Sequence, residues 1–201
     1  IYAEYTDLIE PYGIDECWLD VTRSTKIFPK FAGDMYVGER ENWHFAPEYL
    51  TFLGDTLRER VKGELGITVS VGVSFNKVFA KLGSDLKKPD GTTVIPVSEY
   101  KARLYPLSVG DLLYVGKATA EKLKRRGIST IGALASAPDE LVHGLLGKMG
   151  DTLLKYARGL DDEEVRPMGE SGELKSIGNS LTYPRDLTAF DEVKRNLFER
   201  A

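Results

Sequence analysis

The sequence predicts an α+β region followed by a smaller all-helical region, and three observations lead to this prediction. Up to about residue 98, short segments rich in β-branched residues alternate with segments of helical period. From about residue 99 to residue 160 the elements are short and helical, and glycines separate them. The first region is therefore expected to be an antiparallel or mixed sheet with helices on one face.

The first region is predicted to follow the order β-β-α-β-α-β. Leucines and a valine recur at every third or fourth position in its first helix. KKPDG ends the second helix, because proline cannot continue a helix and Asp-Gly favours a turn. A long loop is expected at 24–45, where no period is visible. The predicted elements are strands 7–14 and 17–22, helix 46–65, strand 66–74, helix 75–86 and strand 92–97.

The second region is predicted to contain only short helices. After it, the acidic stretch DDEEVRPMGESGE at 161–173 is typical of a linker between domains. A strand in LKSIGNSLTYPRDL then starts a third unit, and a helical pattern follows it. We expect the chain to be a piece of a longer protein. The predicted helices are 98–104, 108–113, 118–126, 130–136, 138–146 and 150–158.

Composition excludes several classes of protein. The net charge of −4 argues against a protein that is basic over its whole surface, although local basic patches remain compatible with it. The single cysteine, Cys17, cannot form an internal disulfide, which favours the reducing cytoplasm. No signal peptide and no membrane-spanning run is visible, and two isolated histidines do not predict a zinc site.

The adjacent acids Asp15 and Glu16 lie between the first two predicted strands. On a regular strand, neighbouring side chains point to opposite faces, but at a tight turn their carboxylates can converge. Two converging carboxylates favour a hard divalent cation such as Mg²⁺, which also binds substrate phosphates. An exposed hairpin tip without a ligand explains the same pair.

Two basic segments are open to two interpretations each. Lys87 and Lys88 end a helix, where an ammonium can bind a phosphate or compensate the helix dipole. The segment from Tyr114 to Ala135 predicts two short helices around Gly127, with five basic residues nearby. A helix-hairpin-helix of this kind contacts DNA backbone through free N–H groups and positive charge, whereas an ordinary helical hairpin exposes a similar basic face.

Taken in order, four segments resemble the Y family of DNA polymerases, the translesion enzymes: GIDECWLDVT, TVSVGVSFNKVFAKLGSDLKKPDGTTVI, GKATAEKLKRRGISTIGALA and KSIGNSLTY. The Asp-Glu hairpin and the block NKVFAKLGSDLKKPDG are the most specific parts. The resemblance implies a partial palm at 1–98, a thumb with a helix-hairpin-helix at 99–165, and a linker with the start of a little finger at 166–201.

The resemblance also implies roles for individual residues. Asp15 and Glu16 correspond to a metal-binding aspartate and the catalytic glutamate beside it, with Mg²⁺ as the cofactor. Lys88 corresponds to the lysine that contacts the incoming deoxynucleoside triphosphate, with Asp85 in the same block. The residues expected to contact primer-template DNA are Lys81, Gly116, Lys117, Thr119, Ala120 and Lys122.

Three departures from the family pattern stand out. Gly13 replaces a serine two residues before the Asp-Glu pair. The thumb hairpin usually reads Pro-Gly-hydrophobic-Gly, and here Leu113, Tyr114 and Val115 precede the one retained glycine, Gly116. The family's first metal-binding aspartate and its fingers domain precede the segment that this sequence matches. We therefore expect this chain alone to be inactive, and whether a sliding clamp binds is left open.

Three other functions remain open from the sequence. A non-catalytic DNA-binding protein would keep the helical hairpin beside a degenerate palm. A nucleotide cyclase can use a similar acidic hairpin, although the basic helical region argues against it. A helical interaction module fused to an α+β scaffold would need neither the acids nor the lysines.

Overall fold

The computed structural model of the chain describes residues 1–24, 47–170, 178 and 182–198. The loop predicted at 24–45 lies outside the described residues except for Ser24, as does most of the strand expected after the linker. The chain divides into two compact units, Ile1–Met168 and Gly169–Ala201. No helix in the described ranges is long and apolar enough to cross a membrane.

The first unit begins with the predicted order β-β-α-β-α-β, which the structure confirms. Strands β1 and β2 form an antiparallel hairpin, and β3 and β4 pair in parallel through the intervening helix. The strands are shorter than predicted, since only four residues of each are paired. The elements are β1 (Ile9–Tyr12), β2 (Glu16–Leu19), α1 (Pro47–Leu65), β3 (Val71–Ser74), α2 (Lys77–Leu86) and β4 (Thr92–Ile95).

The α+β class is confirmed, but the expectation of helices on one face of one sheet is wrong. Among the described residues the strands form two separate two-stranded sheets. Val94 packs in the cluster of buried residues around α1, whereas its neighbour Ile95 packs with α2. Because consecutive strand residues point to opposite faces, α1 and α2 cover opposite faces of the β3–β4 sheet. Apolar periodicity in each helix could not reveal which face it covers.

Helix α2 lies unusually close to strand β3. Asn76 caps the helix, with its side-chain oxygen accepting a 2.8 Å hydrogen bond from the Phe79 N–H. A Cβ atom on Gly72 of β3 would lie 1.9 Å from the carbonyl oxygen of Ala80. The close approach therefore requires glycine at position 72, and it brings the polar edge of α2 to the β1–β2 hairpin.

The second predicted region is helical, as expected, and its boundaries agree with the prediction within a few residues. The turns between its helices carry glycines, of which Gly127 and Gly147 have positive φ angles of 79° and 62°. A 3₁₀ turn at Val109–Asp111 replaces one predicted helix. The helices are α3 (Tyr100–Leu104), α4 (Lys117–Lys124), α5 (Ile131–Ala135), α6 (Asp139–Leu146) and α7 (Lys148–Ala157).

One buried core continues through both regions of the first unit. It includes Phe79 and Ile95 from the α+β region together with Leu123 and Leu153 from the helical region, all fully buried. Each such side chain contributes roughly 1.5–3 kcal/mol by leaving water. The division at residue 98 stays a prediction from the resemblance, because apolar packing continues across it.

The second unit contains one described helix, α8 (Phe190–Phe198), where the sequence shows a helical pattern. The hydroxyl group of Tyr183 donates a 2.7 Å hydrogen bond to the side-chain oxygen of Asn196. The amide group of Asn196 in turn donates to the carbonyl oxygen of Glu192 at 2.8 Å. These contacts attach the preceding segment to one face of the helix.

Candidate active site

The predicted acidic pair lies at the tip of the β1–β2 hairpin. Tyr12 pairs with Glu16, so the turn consists of Gly13, Ile14 and Asp15. Gly13 has a φ of +78°, which glycine adopts at little cost and serine does not. Glycine therefore adopts this turn with less backbone strain than the family's serine would.

The two carboxylates at the tip differ in their surroundings. Asp15 lies in the turn and is exposed, and it makes no hydrogen bond or ion pair with any residue that the structure describes. Glu16 is the first residue of β2 and is partly buried. Because Asp15 is in a turn, the strand rule that sends neighbouring side chains to opposite faces does not apply to this pair.

Glu16 starts a chain of ion pairs that runs along α2. The Lys81 ammonium lies 3.1 Å from Glu16 Oε1 and 2.9 Å from Asp85 Oδ2. The other oxygen of Asp85 lies 2.6 Å from the Lys88 ammonium. The structure thus brings together four residues that the sequence singled out, and the charges alternate in sign along the chain.

The pKa values along this chain reflect its contacts. Burial lowers the pKa of the Lys81 ammonium, but hydrogen bonds to Asp85 and Glu16 outweigh it, so the pKa lies above its ordinary value. Burial raises the pKa of the Asp85 carboxyl, but hydrogen bonds from Lys88 and Lys81 outweigh it and lower the pKa. These shifts favour the charged forms of Lys81 and Asp85.

The donor set at the hairpin tip suits a hard divalent cation. Carboxylate oxygens are the ligands that Mg²⁺ prefers, and one or two of them combined with substrate phosphates are a common arrangement. Asp15 and Glu16 supply two carboxylates. No group of three or more histidine, cysteine, aspartate or glutamate residues with metal-site geometry is present in the described part of the chain. The two carboxylates therefore fit a site that substrate and further ligands complete.

A second, buried ion-pair network lies behind the hairpin, and the sequence analysis missed its centre, Glu10. One oxygen of Glu10 accepts from the Lys77 ammonium at 2.7 Å and from the Arg166 backbone N–H at 3.0 Å. The other oxygen accepts from the Arg166 guanidinium at 3.0 Å. Burial raises the pKa of the Glu10 carboxyl, but these hydrogen bonds outweigh it and hold the pKa at about 2.

The same network attaches the stretch that was predicted as a linker to the first strand and the residues before it. Met168 N–H donates to the carbonyl oxygen of Asp7 at 3.1 Å, next to the Arg166 contacts. The indole N–H of Trp18 donates to the carbonyl oxygen of Lys77 at 3.0 Å. A glutamate in the apolar strand IEPY signals a buried acid that needs a cation. The sequence could not identify that cation, because Lys77 is 67 residues away.

The predicted DNA-contact hairpin has an exposed basic face. Helix α4 begins after Gly116, and the N–H groups at its start, including that of Lys117, have no partner within the helix. Lys117 and Lys122 are exposed, and Thr119 is partly buried. Ala120 is buried, and its N–H donates to the carbonyl oxygen of Gly116 at 2.9 Å. Neither the side chain nor the N–H of Ala120 is therefore free to contact DNA.

Tyr114 occupies the hairpin position where the family has glycine. Its φ is +65°, so the backbone adopts a left-handed conformation that bulky residues rarely take. The ring is half exposed, with its centroid 6.2 Å from that of Tyr156. The backbone conformation expected of the glycine is thus kept, and the tyrosine ring is added beside it.

Comparison with known families and proteins identifies relatives of the chain. The impB/mucB/samB family matches residues 1–85. DNA polymerase IV of Acetivibrio thermocellus is 47% identical over 194 residues, which cover 96% of this chain and 44% of the relative. DNA polymerase IV of Moorella thermoacetica is 35% identical over 201 residues, covering all of this chain and 45% of the relative. The chain thus spans less than half the length of these curated relatives.

Solved structures give the same result. A Y-family DNA polymerase chimera of Dbh and Dpo4 has a TM-score of 0.67 and 27% identity, and the match covers 84% of this chain and 44% of that one. DinB from Sulfolobus solfataricus has a TM-score of 0.66 and 28% identity, over 81% of this chain and 43% of that one. An insertion ternary complex of Dbh DNA polymerase has the same TM-score and identity, over 81% and 42%.

Proposed function

Because the chain belongs to the Y family of DNA polymerases, we propose that the longer protein containing it adds nucleotides to a DNA primer 3′ end, including opposite damaged bases. The observation that supports this most is the continuous chain of contacts from Glu16 through Lys81 and Asp85 to Lys88. It links the predicted metal carboxylates to the predicted triphosphate lysine.

Asp15 and Glu16 are the residues that would hold Mg²⁺ at the hairpin tip. Bound Mg²⁺ supplies Lewis-acid stabilisation for the primer oxygen and for the charge on the triphosphate. The Lys81 ammonium forms an ion pair with Glu16 and so fixes the orientation of that carboxylate. Asp15 is exposed and keeps its oxygens available for a ligand.

Lys88 would supply a positive charge to the incoming deoxynucleoside triphosphate. Its present partner is Asp85, and both side chains are about half exposed. Exposed pairs of this kind contribute about 1 kcal/mol or less, so a triphosphate with several charges can replace the carboxylate. Asp85 would then remain bound to Lys81 and balance the charge of that ammonium beside the metal site.

The helical hairpin at α4 would hold the duplex, with Lys117 and Lys122 contacting backbone phosphates. The partners that we propose for the longer protein are primer-template DNA and a deoxynucleoside triphosphate. We place the longer protein in the cytoplasm. A sliding clamp is kept as a candidate partner. Two-metal catalysis also needs a ligand bridging cations about 4 Å apart, which we assign to an aspartate of the longer protein outside this 201-residue chain, as the family resemblance implies.

Primer extension by the longer protein tests this proposal. Replacing Asp15→Asn or Glu16→Gln should reduce nucleotide addition about a hundredfold or more, since each removes charge that stabilises the transition state. DNA affinity should stay within about twofold, because the thumb supplies most phosphate contacts. Asp151→Asn removes an exposed acid of α7 that pairs with His143, and it should leave both properties unchanged.

The same assay separates the other interpretations. If the unmodified protein binds duplex DNA but incorporates no nucleotide, it is a binding protein with a degenerate palm. If it converts a nucleoside triphosphate to a cyclic nucleotide without DNA, it is a cyclase. The 201-residue chain alone should show no Mg²⁺-dependent synthesis, and robust synthesis by it would contradict our placement of the missing aspartate.

A further inference from the structure

The side chain of Asp90 attaches the turn between α2 and β4 to α1. Its Oδ1 accepts from the Arg58 guanidinium at 2.6 Å, and its Oδ2 lies 2.8 Å from the Lys62 ammonium. Arg58 and Lys62 are four residues apart, so they lie on one face of α1. Both oxygens of Asp90 are thus bound to the helix that covers the opposite face of the sheet from α2.

The backbone of this turn has a fixed local shape. Asp90 has a φ of +55°, a conformation that aspartate and asparagine adopt more readily than other side chains. A Cβ atom on Gly91 would lie 2.4 Å from the carbonyl oxygen of Lys87, so only glycine fits there. The carbonyl oxygen of Gly91 accepts from Val71 N–H at 2.9 Å, which connects the turn to β3.

Lys88 lies two residues before Asp90, and its own contact is a half-exposed ion pair to Asp85. The attachment through Asp90 is less exposed, with side-chain exposures of 22% for Asp90 and 16% for Arg58. The attachment through Asp90 is therefore less screened by solvent and salt than the contact of Lys88.

We propose that Asp90 is a positioning residue: its contacts with Arg58 and Lys62 hold the turn so that Lys88 faces the incoming triphosphate. This inference rests on the function proposed for Lys88. It assigns a role to two cations of α1 that lie outside the candidate site. A small displacement of a charged group strongly reduces the binding free energy that the group contributes, because binding depends on pre-organised geometry.

The test is single-nucleotide incorporation by the longer protein carrying Asp90→Asn. Asparagine keeps the preference for positive φ and nearly the same shape, so the substitution removes the charge and one of the two acceptor oxygens but leaves the backbone conformation available. The KM for the deoxynucleoside triphosphate should rise about three- to tenfold, with kcat and DNA affinity within about twofold. Asp90→Gly, which also tolerates positive φ, should give the same result if the protein remains folded by circular dichroism.

Two further variants make the result specific. Glu64→Gln breaks an ion pair of α1 with Arg60 that is not connected to the turn, and it should leave KM unchanged. Lys88→Ala should raise KM, and adding Asp90→Asn to Lys88→Ala should raise it no further, because both act through one ammonium group.

The outcomes distinguish this inference from the proposed function. If Lys88→Ala leaves KM unchanged, the role proposed for Lys88 is wrong, and the inference falls with it. If Lys88→Ala raises KM but Asp90→Asn does not, only the inference is wrong. An equal effect of Asp90→Asn in the presence and absence of Lys88, or a lower melting temperature with unchanged KM, would likewise overturn it.

Discussion

Two ion-pair networks lie on the same hairpin and the same helix, and they differ in burial. Glu10 and Lys77 form one of them, with side-chain exposures of 8% and 7%. Glu16 and Lys81 begin the other, which ends at Lys88 with 52% exposure. Lys77 and Lys81 are one helical turn apart. The same pair of residue types is thus part of the fold in one place and available to ligands in the other.

The difference follows from solvation. Removing one partner of a buried pair leaves an uncompensated charge away from water, which costs about 3–5 kcal/mol. In the second network Lys81 is 17% exposed, but its partners Glu16 and Asp85 are 35% and 43% exposed, so water can replace a lost partner. The outermost pair, Asp85 with Lys88, contributes about 1 kcal/mol or less. A site that must exchange its own ion pairs for a metal and a triphosphate therefore needs the exposed network, supported by the buried one.

The largest effect should come from Lys77→Met, which leaves Glu10 buried beside an apolar side chain. Arg166 still binds Glu10, so the free energy of unfolding should fall by about 1.5–3 kcal/mol, the value of a hydrogen bond to a charged group, measured by urea denaturation. The matched variant one turn away, Lys81→Met, should cost about 1 kcal/mol or less. Equal losses for the two variants would contradict the contrast between the networks.

The second largest effect should be a loss of folding stability in acid, because the buried network depends on the charge of Glu10. The pKa of Glu10 is about 2 in the folded chain, against an ordinary value of 4.5. A lowered pKa contributes stability that is present above the ordinary value and is lost as pH falls towards the folded value. The difference in unfolding free energy between the unmodified chain and Glu10→Gln should therefore shrink from about pH 5 down to about pH 2. A constant difference over that range would argue against this account.

The smallest expected effect should come from replacing exposed lysines of the helical region in the longer protein. The logarithm of the affinity for duplex DNA falls linearly with the logarithm of the salt concentration. Lys117→Ala and Lys122→Ala should each make this negative slope shallower by about 0.9. Lys155→Ala is the matched control, since Lys155 already pairs with Asp162 and should change the slope little. An equal change for all three lysines would remove the distinction between partnered and available charges.

The candidate site was largely predictable because its residues are close in sequence. Lys81, Asp85 and Lys88 lie within eight positions: helical spacing brings Lys81 to Asp85, and Lys88 follows just after the end of α2. The hairpin at Asp15 was predictable from two strands around a glycine. Apart from the contact of Glu16 with Lys81, the sequence placed these residues without tertiary information, although their roles stay predictions.

The sequence by itself determined the order of elements, the helical region and the residues of the exposed site, since each depends on neighbours a few positions apart. Only the tertiary structure decided that α1 and α2 cover opposite faces, that Glu10 binds Lys77 and Arg166, and that Asp90 reaches α1. These contacts join residues 32 to 156 positions apart. No local period encodes such pairs, because burial selects them only when the chain has folded.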